Sequence, residues 1–365
     1  MKIKSITPIA ITIPLIQEIK MGGISYTNSE NLLIQIETED GSAGWGEASS
    51  APDLTGETIA SMEAAIKFLT PYLIGRDPSS FTENMNLIDK MLYGNSSVKA
   101  AFEIACYDVV GKAEGKSMSE LLGGAKRAEI PVLWLLANGN LEADRKEAKV
   151  RLEEGFRSFK IKVGGNPLDE DVSRVKEIRN IVGRSSQLSV DANQAWNLEE
   201  AITFVEQASE FLDFVEQPIM GNDLEGMKQI AEASNAPIGA DEGLHSINDI
   251  MLHKERGAAS GGSLKMIKLG GVAKAFEAAN LADKLGMWVN LSGAICETSI
   301  SSAAVVHLAA AIPQIKWRLS VTNQYADIDI VQNPIKIIDG KINVPPGIGL
   351  GVEVDKGAVR TLERH

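Results

Sequence analysis

The chain has 365 residues, 44% of them hydrophobic and 23% charged, with a formal net charge of −13. That length calls for one large domain with a smaller companion, and the acidity excludes a surface built to hold nucleic acid or acidic lipid, which leaves a small molecule as the expected partner. Cys106 and Cys296 are the only cysteines, too few for a disulfide framework, and no run of about 18 apolar residues is present to span a membrane, so a reducing cytoplasm is the expected setting.

The opening stretch, MKIKSITPIAITIPL, alternates with a period of two, is interrupted by prolines and has no small-residue cleavage site, so it reads as a strand rather than a secretory signal. Strand-like runs cover Ile3 to Ile13 and Asn31 to Glu37, a turn falls at Glu39-Asp40-Gly41, and a third short strand ends in Gly44-Trp45-Gly46-Glu47. From Gly56 to about Gly123 the periodicity becomes helical, as in Ile59 to Leu69 and Ser97 to Lys112, and Leu121-Leu122-Gly123-Gly124 stops the last helix. An α+β domain over residues 1–125 is the result.

Beyond it, short apolar runs alternate with helical segments. The runs are Pro131 to Leu136, Phe156 to Val163, Leu188 to Val190, Leu212 to Val215, Ala236 to Ala240, Leu264 to Leu269 and Met287 to Leu291. Helical stretches such as Leu198 to Glu210, Leu224 to Ser234 and Val272 to Leu285 lie between them. Strict alternation implies parallel strands with right-handed crossovers, and this many units close most simply into a barrel. An open doubly wound sheet is the alternative, but no Gly-rich phosphate loop follows its first strand.

Charges recur at the ends of these strands. Lys160 and Lys162 end one run, Asp191 the next, Glu216 and Asp241 follow the next two, and Lys265 lies in the run after that; the intervals from Lys162 onward are 29, 25, 25 and 24 residues. In a closed barrel such residues converge on one mouth. Any one of the acids could be a helix N-cap or a strand-end salt bridge. Three in step would repel one another strongly and call for a hard divalent cation, magnesium or manganese rather than zinc. The period of two sends Lys160 and Lys162 to the same face of their strand. Lys265 approaches from across the barrel. A lysine crowded by another cation and a metal has its pKa lowered and can act as a base near neutral pH; neutralising the carboxylates is the other reading, and it stays open for Lys160. Removing a proton beside a carboxylate generates an enediolate, which a cation stabilises, and bases on opposite faces permit inversion.

These residues resemble the enolase superfamily, muconate lactonizing enzyme subgroup. The resemblance rests on Gly44-Trp45-Gly46-Glu47, Ala105 to Lys112 with Leu121-Leu122-Gly123-Gly124, Lys160-Ile161-Lys162, Asp191-Ala192-Asn193, Glu216-Gln217-Pro218, Asp241-Glu242 and Lys265 through Gly271, and it covers nearly the whole chain. It implies an α/β fold, a (β/α)7β modified TIM barrel over 126–334, with the α+β capping domain completed by about 335–365. It further implies one magnesium ion per subunit, with Asp191, Glu216 and Asp241 as ligands, Lys162 and Lys265 as the opposed acid/base pair, and Lys160 holding the substrate carboxylate. Lys265 is five residues before Gly270, where the family pattern puts the base, and Lys268 is then a supporting residue together with Asn193 and Glu242. His245, His253, His307 and His365 are read as ordinary residues. A homo-oligomer is also implied.

Asp327-Ile328-Asp329, near the expected eighth strand, resembles the Asp-x-Asp motif with which dipeptide epimerases hold a substrate α-ammonium; a solvated loop pair is the competing reading. Ile295-Cys296-Glu297 resembles the seventh-strand loop that meets the substrate carboxylate, although Cys296 could be simple packing. The loop from about Gln17 to Ser29, with Ile24 and Tyr26, would cover the second residue of a dipeptide; it holds Lys20 but no arginine, which favours a neutral or apolar side chain there. The expected activity is therefore a magnesium-dependent dipeptide epimerase. The alternatives are o-succinylbenzoate synthase, N-acylamino acid racemase or muconate cycloisomerase of the same subgroup, and, from another class, a non-catalytic binding barrel.

Overall fold

Alternating β-branched residues open the chain and build an antiparallel sheet of β1 (Ile3–Met21), β2 (Ile24–Thr38) and β3 (Ala43–Ser49), paired in that order. The computed structural model describes residues 1–21 and 24–364, with the backbone only at Lys20, Met21 and Ile24. The segment expected as a loop over Gln17 to Ser29 instead continues the ladder: after a register shift between Pro14 and Ile19, Ile19 pairs with Tyr26 and Met21 with Ile24. Gly22 and Gly23 lie outside the described residues.

Four helices follow, α1 (Ile59–Leu73), α2 (Phe81–Met91), α3 (Ser96–Glu114) and α4 (Met118–Leu121). Thr58 and Ser61 form a capping box at the start of α1, and Ser117 and Glu120 do the same for α4. Helix α3 is buried from Ser97 to Gly111 because β3 lies directly against it. That approach explains the glycines of Gly44-Trp45-Gly46: a Cβ at either position would collide with the α3 carbonyls of Ala105 or Ala101.

A short strand, β4 (Glu129–Pro131), leads into eight parallel strands. They are β5 (Trp134–Leu136), β6 (Ser158–Lys162), β7 (Gln187–Asp191), β8 (Phe214–Glu216), β9 (Ile238–Ala240), β10 (Gly261–Leu264), β11 (Trp288–Ser292) and β12 (Leu319–Ser320), each hydrogen-bonded to the next in chain order. The ring closes where Val132 bridges Leu319 and Leu133 N donates to Leu319 O at 2.8 Å. The crossovers are α5 (Leu141–Glu153), α6 (Leu168–Val182), α7 (Leu198–Ala208), α8 (Leu224–Ala233), α9 (Ile247–Arg256), the pair α10 (Met266–Leu269) and α11 (Val272–Lys284), and α12 (Ser299–Ala311). The fold is thus a (β/α)7β barrel with a capping domain. Lys265 corrects one expectation: it is not inside a strand, because β10 stops at Leu264 and Lys265 is the N-cap of α10. The final segment returns across both parts. β13 (Lys341–Asn343) pairs with β4, and past α13 (Lys356–Leu362) Glu363 bridges Ile11 of β1. Among the described residues no helix is long and apolar enough to cross a membrane.

Where the capping domain meets the barrel, α3 places Glu103, 1% exposed, at the N-terminus of α11, where it accepts from Ala273 N at 3.2 Å. The helix dipole and free N–H groups favour a carboxylate there. Gly271 (φ 141°) admits it, since a Cβ at that position would strike Glu103 Oε2. Burial nevertheless pushes the Glu103 pKa from the usual 4.5 up to about 7, against the N–H groups of Ala273 and Val272. A folded-state pKa raised in this way means that the group's contribution is full below pH 4.5 and is lost as the pH rises through about 7, a change of about 3 kcal/mol. Glu103→Gln keeps an acceptor without ionising. Its stability to urea should therefore fall less than that of the wild type between about pH 5 and about pH 8, and parallel pH profiles would contradict this reading.

Candidate active site

Parallel pairing sets the site before any side chain is considered. Lys162 pairs with Asp191 and Asp191 with Glu216, so one row across β6, β7 and β8 carries three charged groups at the strand ends. Asp241 directly follows β9 and Lys265 directly follows β10. Of the eight strands, β6 and β10 stand four apart in the ring, so Lys162 and Lys265 face each other across the mouth with the three acids on the strands between. Strands β11, β12 and β5 complete the ring without a charge: Ser292, Ser320, Leu133 and Leu135 line that side. Together they enclose a cavity of about 200 Å³.

Asp191, Glu216 and Asp241 are buried, and one oxygen from each lies within 4.8 Å of the others, an arrangement that can hold a metal ion. Hard oxygen donors suit a divalent cation such as magnesium. Electrostatics make the same point. Burial, with the charges of Asp191 and Asp241, pushes the Glu216 pKa up even though Lys160 donates directly to its carboxylate.

Each lysine has an acid partner. Lys162 Nζ donates to Asp191 Oδ2 at 2.7 Å and to Asn193 Oδ1 at 2.5 Å. Lys265 Nζ donates to Asp241 Oδ2 at 2.6 Å and Lys268 Nζ to Asp241 Oδ1 at 2.5 Å. The lowered pKa expected of a base lysine is not found at Lys265, and Lys268, read as a supporting residue, is the one that burial drives down. For Lys265 and Lys160 burial acts downward too, but Asp241 and Glu242 hold Lys265 up and Glu216 and Asp191 hold Lys160 up. Asp241 is correspondingly well below the usual carboxylate range: Lys265 and Lys268 outweigh its burial.

Supporting residues fall into place around this core. Asn193 adopts a positive φ of 44°, uncommon outside glycine, and from there accepts from Lys162 and donates to Glu242 Oε1 at 2.9 Å. Burial, then the charges of Asp241 and Asp191, raise Glu242 to about 7. Gln217, also at positive φ (35°), accepts from Asp241 N at 2.8 Å and Gly243 N at 3.1 Å, fixing the backbone that presents Asp241. Ser263 Oγ donates to Glu216 Oε1 at 2.6 Å. Neither Gln217 nor Ser263 was assigned a role from sequence, although Gln217 stands inside Glu216-Gln217-Pro218; a serine in a strand carries no such signal.

The substrate-side candidates are not brought together. Asp327 is exposed and Asp329 is turned to the start of α12, accepting from Ser299 Oγ at 2.6 Å and Ile330 N at 2.8 Å; neither lines the cavity. Beyond β12, which ends at Ser320, the chain lines the cavity as far as Tyr325, the last residue of a 3-10 turn over Asn323–Tyr325, and has left it by Asp327. Cys296 and Glu297 are buried beside the cavity, whose wall there is formed by Ser292 to Ile295. Tyr26 sits beside Asp53, with its phenol pKa raised by burial and by that acid. Asp53, at the mouth, and Leu54 do line the cavity and were missed in the sequence, where they are unremarkable loop residues. The side chain of Ile24 lies outside the described residues. None of the histidines lines the cavity among the described residues.

Residues 8–123 match the mandelate racemase / muconate lactonizing enzyme N-terminal domain family, and residues 143–358 match the enolase C-terminal domain-like family. The N-succinyl-L-Arg/Lys racemase of Bacillus cereus is 30% identical over 97% of this chain and 96% of its own length. The L-Ala-D/L-Glu epimerase of Bacillus subtilis is 30% identical over 96% and 97%. The crystal structure of muconate lactonizing enzyme from Pseudomonas fluorescens complexed with muconolactone superposes with a TM-score of 0.96 at 31% identity, covering 100% of this chain and 99% of that one. A buried acid triad at the strand ends, flanked by lysines and matched along the whole chain by racemases, epimerases and cycloisomerases, identifies this protein as an isomerase of the enolase superfamily.

Proposed function

We propose that this isomerase is a magnesium-dependent epimerase that inverts the α-carbon of an N-acylated amino acid, with a dipeptide of the form Ala-X, X neutral or apolar, as the first candidate. The observation that carries the proposal is the opposition of Lys162 and Lys265 across three converging carboxylates. Magnesium held by Asp191, Glu216 and Asp241 supplies, when bound, positive charge beside the substrate carboxylate. Lys160 contributes an ammonium to the same carboxylate. Lys162, as the amine, takes the α-proton from one face, and the electron pair of the broken C–H bond moves onto the carboxylate to give an enediolate. Lys265, as the ammonium, returns a proton to the opposite face, and the configuration inverts. The roles exchange for the reverse direction. Asn193 orients Lys162, and Lys268 with Gln217 holds Asp241 where it meets Lys265.

The rest of the substrate falls to the uncharged half of the ring and the loops above it. Leu54, Leu133, Leu135, Ile295 and Val321 suit an apolar side chain. The α-ammonium expected at Asp327 and Asp329 has a nearer partner in Asp53, which faces the cavity beside Tyr26. The same acid disfavours a second carboxylate, which counts against a muconate-like dianion and against Ala-Glu.

Three outcomes are expected. In deuterated buffer with magnesium, a mixture of dipeptides and N-acyl amino acids read by mass spectrometry should show α-deuterium uptake, abolished by EDTA; uptake should favour L-Ala-L-Val over L-Ala-L-Glu, and the reverse order would remove the neutral-side-chain assignment. Lys162→Ala and Lys265→Ala should each lower epimerisation by about 10³-fold while leaving exchange with one epimer only, a different one for each variant. Exchange of both epimers in either variant would rule out the two-base scheme. Asp53→Ala should raise KM for L-Ala-L-Val by about threefold to fivefold, the scale of an exposed ion pair, and leave N-acetyl-L-valine unchanged; equal effects on both would remove the ammonium role.

A further inference from the structure

Helix α12 begins where the cavity wall ends. Its first free N–H groups are met by two carboxylates from other elements, one from β3 of the capping domain and one from the segment after β12. Glu47 is fully buried and accepts from Thr298 N at 2.9 Å, Thr298 Oγ at 2.6 Å, Ser301 N at 3.0 Å and Asn31 Nδ2 at 2.6 Å. Asp329 takes Ser299 N at 3.2 Å and Ser299 Oγ at 2.6 Å. Asn31 is itself held by Ser29 at 2.8 Å, and its amide also donates to Cys296 O at 2.9 Å. Glu297 N donates to Thr322 Oγ1 at 3.0 Å, which ties this loop to the one after β12.

A helix start leaves several N–H groups unpaired, and Thr298 Oγ1 takes only that of Ile300, at 3.2 Å. The others here are taken by two acids that reach in from other elements, one of them with no exposed surface. What they share is the segment directly upstream, Ser292 to Ile295, which lines the cavity, and Thr322, which lines it from the next strand. We propose that Glu47 and Asp329 are positioning residues: by seizing the N-terminus of α12 from the capping sheet and from the segment after β12, they fix the β11 and β12 loops against the substrate. This gives both motif acids a role away from the substrate itself. Removing Glu47 releases Thr298 N, Thr298 Oγ1 and Ser301 N at the start of α12, and the loop then samples conformations in which the cavity wall is displaced.

The test pairs Glu47→Gln with Asp329→Asn in the full chain. Amide hydrogen exchange by mass spectrometry should speed up about tenfold in peptides spanning residues 292–301 of Glu47→Gln, as for loss of a cap, and by less in Asp329→Asn, with β6 to β8 unchanged. With L-Ala-L-Val as the probe, KM should rise about tenfold while kcat falls less than about threefold. Unchanged exchange over 292–301 in both variants, or equal acceleration in every segment, would overturn the proposal, as would a fall in kcat at constant KM. The exchange measurement needs no substrate, so failure of the wild type to turn over L-Ala-L-Val would count against the proposed function and leave the positioning role to be judged by exchange alone.

Discussion

Three carboxylates held within 4.8 Å of one another, out of water, are the constraint around which the rest is arranged. Unpaired, such a group cannot remain ionised in a medium where charges interact strongly. The chain answers with four lysines on the same acids, two of them gathered on Asp241 alone. Burial still pushes Glu216 up, with Asp191 and Asp241 adding to it against the pull of Lys160. Three hard carboxylate donors converging in this way can also hold a divalent cation, which would share the acids with the lysines.

Only a parallel barrel delivers this geometry from five separate positions. Each strand contributes its last residue or the one after it, and the register of β6, β7 and β8 places Lys162, Asp191 and Glu216 in a single row. The intervals of 24 to 29 residues between those positions are the length of one βα unit, so the chemistry is written into the repeat itself. That is why it could be read from sequence: a charged residue ending an apolar run is visible without any tertiary information, and several in step are hard to produce by chance.

What could not be read has a physical cause in each instance. Asp327-Ile328-Asp329 has a motif's spacing, but spacing says nothing about where a loop travels after a two-residue strand, and beyond the turn at Asn323–Tyr325 the chain has left the cavity by Asp327. The extension of β1 and β2 through Ile19 and Tyr26 is expected as a loop by resemblance, and a ribbon in which Ile19 is buried while Glu18 and Ser25 are exposed offers too short an alternation to declare itself in the sequence. Lys265 reads as part of a strand because Leu264 to Leu269 is apolar apart from Lys265 and Lys268, a pattern that a strand end and a buried helical turn share. Asp53 and Gln217 act through tertiary position alone. In the capping domain the reverse held: Gly44-Trp45-Gly46-Glu47 was recognised as a pattern, and the structure supplies its reason in the packing of β3 on α3 and the reach of Glu47 into the barrel.

The same division separates chemistry from selectivity. The charged residues of the mouth are fixed by strand register and by one another, so changing one disturbs its partners on neighbouring strands. The uncharged side of the ring includes the cavity wall from Ser292 to Ile295, on a loop pinned from outside through Glu47 at α12. Such loops can change composition without altering the charge balance of the acid cluster. Two relatives at 30% identity, one named for N-succinylated arginine and lysine and the other for an alanyl-glutamate, illustrate how far substrates diverge on this architecture. Asp53, Leu54 and the wall from Ser292 to Ile295 line the cavity without a place in the charged cluster, whereas the lysines and acids are bound to one another across neighbouring strands.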